Sequence, residues 1–241
     1  MPKEKLIQLV LAQAPVIMQG TAQEVLEFIL NKMADEVILA NSFSAEDVVL
    51  TDMMSKIIKK FKCFVLDTGR LNPETYDVID RIQHKYHMDL EILFPDHSQV
   101  EKMVAEKGIN LFYDSHENRK LCCHIRKVEP LQRVLSKYSG WVCGLRREQS
   151  PTRTEIKKIE RDDDHGGIIK VNPLADWTHE QVWAYIKKHK VPYNKLYDQG
   201  YKSIGCAPCT RAIGAGDPER AGRWWWEDPK NKECGLHVKS S

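Results

Sequence analysis

The sequence predicts an α/β fold, a three-layer, doubly wound and mostly parallel sheet, and three observations carry the prediction. Short apolar runs rich in β-forming residues alternate with longer stretches of helical periodicity. That alternation implies right-handed βαβ crossovers, which lay helices on both faces of a sheet. The apolar runs are also too continuous for strands with one wet face, and suit strands covered on both sides.

Taken in order, Thr21 is an N-cap for a helix over 22–34, and 36–40 is the first strand. A helix over 45–60 and a strand over 62–66 come next. Pro73, suited to a first helical turn, opens a helix to 86, and a third strand covers 90–94. Helices are expected over 98–107 and 118–137, with a strand at 141–144. The pattern then loosens: 161–167 reads as a charged, glycine-ended loop, 168–171 as a strand, and Thr178 with Gln181 as the capping box of a helix to 189. After Gly205 no packing period survives, only glycine, proline, arginine and the tryptophans 224–226, expected to cover the core or anchor the C-terminal tail. The 241 residues suit one main domain, 1–226, with a mobile C-terminal tail, 227–241.

Hydrophobic residues make up 42% of the chain and charged residues 29%, an ordinary globular balance. No apolar run approaches the roughly 20 residues that span a bilayer, and the N-terminus lacks the apolar stretch of a signal peptide. A cytoplasmic protein with no membrane contact is therefore expected. A net charge of +2 gives no reason to expect a nucleic-acid partner. Seven cysteines in such a compartment are read for metal or redox chemistry rather than disulfides.

Cys122 and Cys123 adjoin in a predicted helix, and Cys206-Ala207-Pro208-Cys209 lies in a Gly/Pro loop. Four thiolates suit either a tetrahedral zinc site or a 4Fe-4S cluster. Adjacent cysteines reach the corners of a larger cluster more naturally than one zinc ion, which favours iron-sulfur. The bland alternative makes Cys122 and Cys123 core residues and Cys206 with Cys209 a redox pair. Cys63 and Cys143 fall in apolar strands and are expected to be buried and inert. Cys234, in Lys232-Glu233-Cys234-Gly235-Leu236-His237, has no core pattern around it; nearby cations such as Lys232 and His237 would lower its pKa and suit a nucleophile, while a surface thiol of no consequence explains the segment equally.

Two loops suit an anion or nucleotide. Ser42-Phe43-Ser44-Ala45-Glu46-Asp47 comes after the first strand and opens a helix, although a simple capping turn of Ser44 with Asp47 explains it equally. Asp67-Thr68-Gly69-Arg70 comes after the second strand, at the end where open α/β sheets bind ligands, and a nucleotide would lie across both loops. Lys127, Arg146 with Arg147, and Arg220 with Arg223 supply cations suited to phosphate or sulfate, each a weak signal alone.

Together these segments resemble one family, the assimilatory sulfonucleotide reductases, and within it the iron-sulfur adenylylsulfate reductases. The likeness rests on Ser42 to Asp47, Leu66 to Arg70, Cys122-Cys123 with Lys127, Gly144-x-Arg146-x-x-Gln149-Ser150, Cys206-x-x-Cys209, Glu219-Arg220-x-Gly222-Arg223-Trp224 and Glu233 to His237. The resemblance implies an ATP-pyrophosphatase-like (adenine nucleotide alpha hydrolase-like) fold and a 4Fe-4S cluster on Cys122, Cys123, Cys206 and Cys209. It implies Cys234 as nucleophile with Lys127 and His237 as catalytic partners. Ser42, Phe43, Ser44, Asp67, Thr68, Gly69, Arg70, Arg146, Gln149, Arg220 and Arg223 would bind substrate.

The implied reaction reduces adenosine 5′-phosphosulfate to sulfite and AMP with thioredoxin or a glutaredoxin as donor, in a homo-oligomer. The chain lacks the Ser-Gly-Gly-x-Asp-Ser loop of ATP pyrophosphatases, so pyrophosphate release is not expected. Relatives that reduce the 3′-phosphorylated nucleotide often lack the cluster cysteines, which points here to adenylylsulfate, while some cluster-bearing members accept both. The rivals are an ATP-dependent adenylating or thiolating enzyme and a noncatalytic iron-sulfur nucleotide sensor.

Overall fold

The structure, a computed structural model, describes residues 2–228; Cys234 and His237 lie outside the described residues. Its elements are α1 (Lys3–Ile17), α2 (Ala22–Met33), β1 (Val37–Ala40), α3 (Ala45–Ile57), β2 (Phe61–Leu66), α4 (Pro73–Lys85) and β3 (Met88–Leu93). They continue with α5 (His97–Lys107), α6 (His116–Cys123), α7 (Glu129–Leu135), β4 (Gly140–Val142), β5 (Ile159–Asp162), β6 (Ile168–Val171) and α8 (His179–His189). Among the described residues no helix is long and apolar enough to cross a membrane.

The strands form one sheet in the order β3-β2-β1-β4-β6-β5. The pairs β1–β2, β1–β4 and β4–β6 are parallel, with Leu39 opposite both Cys63 and Val142. From β1 the chain order runs outward to β2 and β3 on one side and to β4 and β6 on the other, with β5 added antiparallel at that edge, so the sheet is doubly wound as the periodicity predicts. Its switch point lies between β1 and β4, where open α/β sheets leave a crevice at the carboxyl ends of the strands.

Three elements differ from the expectation. The helix α1 was not foreseen; its buried Leu6, Ile7, Val10 and Ala14 form a narrow stripe, with Pro15 in the final turn. The segment read as the loop 161–167 begins in a strand, β5, which pairs antiparallel with β6 at the sheet edge. Its charged residues suit an edge, where one side of the strand meets water. The single helix expected over 118–137 is two helices joined by a π-helical stretch, His124–Val128.

The described residues group into two compact units. The first comprises residues 2–65, 74–91 and 135–195, and holds most of the sheet. Val37, Ile38 and Leu39 of β1 are almost fully buried, and so are Val48, Val49 and Leu50 of α3, which covers the sheet. The second comprises residues 66–73, 92–134 and those from 196 onward. Its core is Met103, Leu111, Phe112, Ile125, Cys209 and Trp224. Each large apolar side chain buried there contributes roughly 1.5–3 kcal/mol.

Glu227, expected at the start of the tail, belongs to this second body, since its carboxylate is buried against Arg119. The rest of the expected tail beyond Asp228 lies outside the described residues.

Candidate functional site

In the first unit β1 delivers the chain into Asn41-Ser42-Phe43-Ser44, and α3 begins at Ala45. Phe43 adopts φ +58, a left-handed conformation that non-glycine residues rarely hold and that gathers at functional loops. The Asn41 side chain holds it there: its oxygen accepts the Phe43 N–H at 2.8 Å while its amide donates to Thr51 Oγ1 at 2.8 Å. The Phe43 ring is fully buried, so this position offers a ligand its backbone rather than its ring.

Ser44 stands at the helix N-cap, yet the expected capping turn runs the other way. The Asp47 carboxylate turns back and accepts the Ser42 N–H at 2.7 Å, the Ser42 hydroxyl at 2.6 Å and the Ser44 hydroxyl at 3.2 Å. Burial pushes the Asp47 carboxyl up to about 6 against the pull of those bonds.

Across the switch point, the loop after β4 brings up Arg146, which is fully buried and donates to Glu46 at 2.8 Å. Gln149 braces the loop: its side-chain oxygen accepts the Arg146 N–H at 3.1 Å and the Arg153 guanidinium at 2.5 Å. Gly144 is required because a Cβ there would collide with Glu46 and Asp47. Arg146 is thus a held, desolvated cation. Arg147, read beside it, donates to the Ile156 carbonyl.

In the second unit the loop after β2 is an Asx turn, with the Asp67 carboxylate accepting the Gly69 N–H at 2.8 Å and Gly69 at φ +68. Arg70 reaches the Ile109 carbonyl and the Asn110 side chain. Its carbonyl accepts the Ala207 N–H at 2.7 Å, tying this loop to the Cys-x-x-Cys loop. Thr68 Oγ1 lies 3.3 Å from Cys206 Sγ. Cys122 and Cys123 end α6, which Ser115 caps, and Lys127 lies in the wider π turn next to it. Such π segments are rare and frequently mark functional sites. All four cysteines line one pocket, together with Arg70 and Lys127.

The thiols of that pocket feel one another and the cations beside them. Burial pushes Cys206 up, but Lys127, the Thr68 hydroxyl and Arg223 outweigh it, leaving the thiol below its ordinary value. Burial, with Cys206 beside it, pushes Cys209 up to about 12, and burial also raises Cys122. Four thiolates cannot share this space unless a strong positive charge joins them, which a metal centre provides. Among the described residues no three His, Cys, Asp or Glu side chains surround a single point as one bound ion would need. Four cysteine donors lining one pocket are a donor set that suits a Cys₄ metal ion or an iron-sulfur centre.

Arg220 and Arg223 gather around the buried Trp224, at 5.8 and 4.7 Å from its ring. Arg223 also donates to the Ile204 carbonyl at 3.2 Å. Trp224 is in the core and Trp226 packs on it. Cys63 and Cys143 are buried, and burial drives both thiols far up, in keeping with inert residues.

Residues 36–212 match the model of the phosphoadenosine phosphosulfate reductase domain. An adenosine 5′-phosphosulfate reductase of Burkholderia cepacia is 52% identical over 204 residues, covering 85% of this chain and 81% of its own. The chain belongs to the APS/PAPS reductase family. Another member, the adenosine 5′-phosphosulfate reductase of Allochromatium vinosum, is 47% identical over 91% of this chain and 85% of its own. Among solved structures, the phosphoadenylyl-sulfate reductase of Candida auris in its phosphate complex superposes with a TM-score of 0.71 at 30% identity, covering 85% of this chain and 96% of that one. Family membership and the α/β fold therefore agree with the motifs that suggested them.

Each unit gathers part of the expected set. Ser42, Phe43, Ser44, Arg146 and Gln149 lie in the first; Asp67, Thr68, Gly69, Arg70, Lys127, Arg220, Arg223 and the four cysteines lie in the second. Sequence reasoning missed Glu46, Arg119 and Glu227. Glu46 and Arg146 stand 100 positions apart, so no local pattern joins them. Arg119 sits four residues before Cys123 on one helix, a same-face spacing that was there to be read.

Proposed function

We propose that this chain reduces adenosine 5′-phosphosulfate to sulfite and AMP, with thioredoxin or a glutaredoxin as donor and a 4Fe-4S cluster held by Cys122, Cys123, Cys206 and Cys209. The observation that carries this reading is the pocket in which those four thiols meet Lys127, in a chain 52% identical to an adenosine 5′-phosphosulfate reductase. When bound, the cluster supplies positive charge and rigidity to the pocket.

The Cys234 thiolate attacks the substrate's sulfate sulfur, forming an S–S bond; the bond from that sulfur to the phosphate oxygen breaks, and its electron pair leaves with AMP. The donor thiolate then attacks Cys234 Sγ, and sulfite departs with the electron pair of the broken S–S bond. The donor's second thiol resolves the mixed disulfide, regenerating Cys234 and leaving the donor oxidised. Lys127, Arg220 and Arg223 offset the charge that would otherwise repel the attacking thiolate. His237, three residues from Cys234, assists that thiolate. Ser42, Ser44, the Phe43 backbone and Arg146 are the first unit's candidates for substrate binding, and Asp67 to Arg70 the second unit's. The cycle needs reduced thiols, which the cytoplasm maintains.

The 3′-phosphorylated nucleotide is the second reading, favoured by the likeness to the Candida auris phosphoadenylyl-sulfate reductase. Anaerobic sulfite release with reduced thioredoxin separates the two. The account expects adenosine 5′-phosphosulfate to be preferred and Cys234→Ser to reduce release to background; release by that variant at the wild-type rate would remove Cys234 as nucleophile.

A further inference from the structure

A buried ion pair in the second unit lies outside the residues assigned so far. Arg119 and Glu227 have side chains 1% and 7% exposed and meet in a bidentate fork, Nε to Oε1 at 2.9 Å and a terminal nitrogen to Oε2 at 2.8 Å. The Arg119 guanidinium also stacks over the Trp224 ring at 4.6 Å and, one turn before Cys123 on α6, lines the same pocket as that cysteine. One side chain therefore meets the cysteine pocket, a core tryptophan and the carboxylate of Glu227.

Glu227 is itself fixed by its backbone, since its N–H donates to the Trp224 carbonyl at 2.9 Å. Cys234 comes seven residues later in the sequence, which limits its reach from Glu227 to about 25 Å. A buried ion pair is a poor means of stabilising a fold, because an apolar pair of similar volume often does as well. Its charge calls for another explanation.

We propose that Arg119 and Glu227 are positioning residues of the reaction: through one guanidinium they lock a cysteine ligand, Cys123, to the point from which the segment carrying Cys234 departs. The inference deepens the proposed function and rests on its roles for Cys123 and Cys234. Losing the pair leaves the nucleophile tethered to an unfixed root, so attack on the substrate slows while the pocket persists.

The test compares wild type with Glu227→Gln, Arg119→Lys and the double variant Arg119→Met/Glu227→Met. Melting temperature and iron per chain report the fold and the pocket, and hydrogen exchange of the 225–228 amides reports the anchor. Intact mass reports the single-turnover rate at which Cys234 is S-sulfonated by adenosine 5′-phosphosulfate without a donor. The double variant is expected to melt close to wild type, to exchange those amides faster, and to sulfonate Cys234 roughly 10- to 100-fold more slowly. Arg119→Lys, which keeps a donor but not the fork, should fall between. Wild-type sulfonation and exchange in the double variant would overturn the proposal. If that variant does not fold, Glu227→Gln decides by the same two readouts. If wild type forms no adduct on Cys234, the proposed function fails, while amide exchange still reads whether the pair anchors this turn.

Discussion

In the first unit, buried charges are settled by partners of opposite sign and by hydroxyl or indole donors. Arg146 faces Glu46; Asp52 takes Lys56 at 2.6 Å and the hydroxyls of Tyr86 and Tyr185; Asp162 takes the Trp141 indole and His165. In the second unit, cations act on thiols instead. Lys127 and Arg223 pull on Cys206, and Arg119 lines the same pocket as Cys123. A carboxylate is charged at neutral pH without help, whereas a buried thiol is not. The first unit therefore settles its buried charges mainly on carboxylates, while in the second, beside the Arg119–Glu227 pair, cations lie next to thiols. Substitutions in the first, away from Ser42, Ser44 and Arg146, should be read mainly in stability, and those at the second unit's cations in chemistry.

The largest effect is expected at Lys127. Lys127→Ala should reduce sulfite turnover by roughly 10²- to 10³-fold while iron per chain stays unchanged. Turnover within twofold of wild type would make that cation a structural feature and blur the contrast. In the first unit, Gly144→Ala forces a Cβ against Glu46 and Asp47, at a cost of about 1–3 kcal/mol visible as a lower melting temperature. An unchanged melting temperature would show that the loop after β4 is not closely packed on α3.

Asp47→Asn should have the smallest effect, and its sign depends on pH. The folded-state carboxyl, raised from 3.8 to about 6, keeps its proton longer than the unfolded one. Its contribution to stability is therefore fully present below pH 3.8 and lost as pH rises through about 6. Asp47→Asn should thus gain about 1 kcal/mol relative to wild type between pH 4.5 and 7.5, below the limit of about 3 kcal/mol that the full shift allows. A difference in melting temperature that does not vary with pH would show that Asp47 is not held protonated by burial.

The contrast also explains what the sequence reveals. The apolar runs of β1, β2 and β6, the N-cap at Thr21 and the capping box at Thr178 are local signals, and the structure contains all of them. β5 was missed because an edge strand carries charge, as in Ile159-Glu160-Arg161-Asp162, and so resembles a loop. The π stretch was missed because adding a residue to one turn hardly disturbs a hydrophobic period read over a long helix. The cysteine set was legible because its spacing is chemical rather than conformational. The pairs Glu46–Arg146 and Arg119–Glu227 were not, since only the folded chain brings their members together.

The central claim, that the second unit's four thiols hold one iron-sulfur centre, is tested most directly by iron and acid-labile sulfide analysis of anaerobically purified protein, wild type beside Cys206→Ser. The account predicts about four of each per wild-type chain and their loss in the variant. A single zinc ion, or iron retained in full by Cys206→Ser, would contradict it.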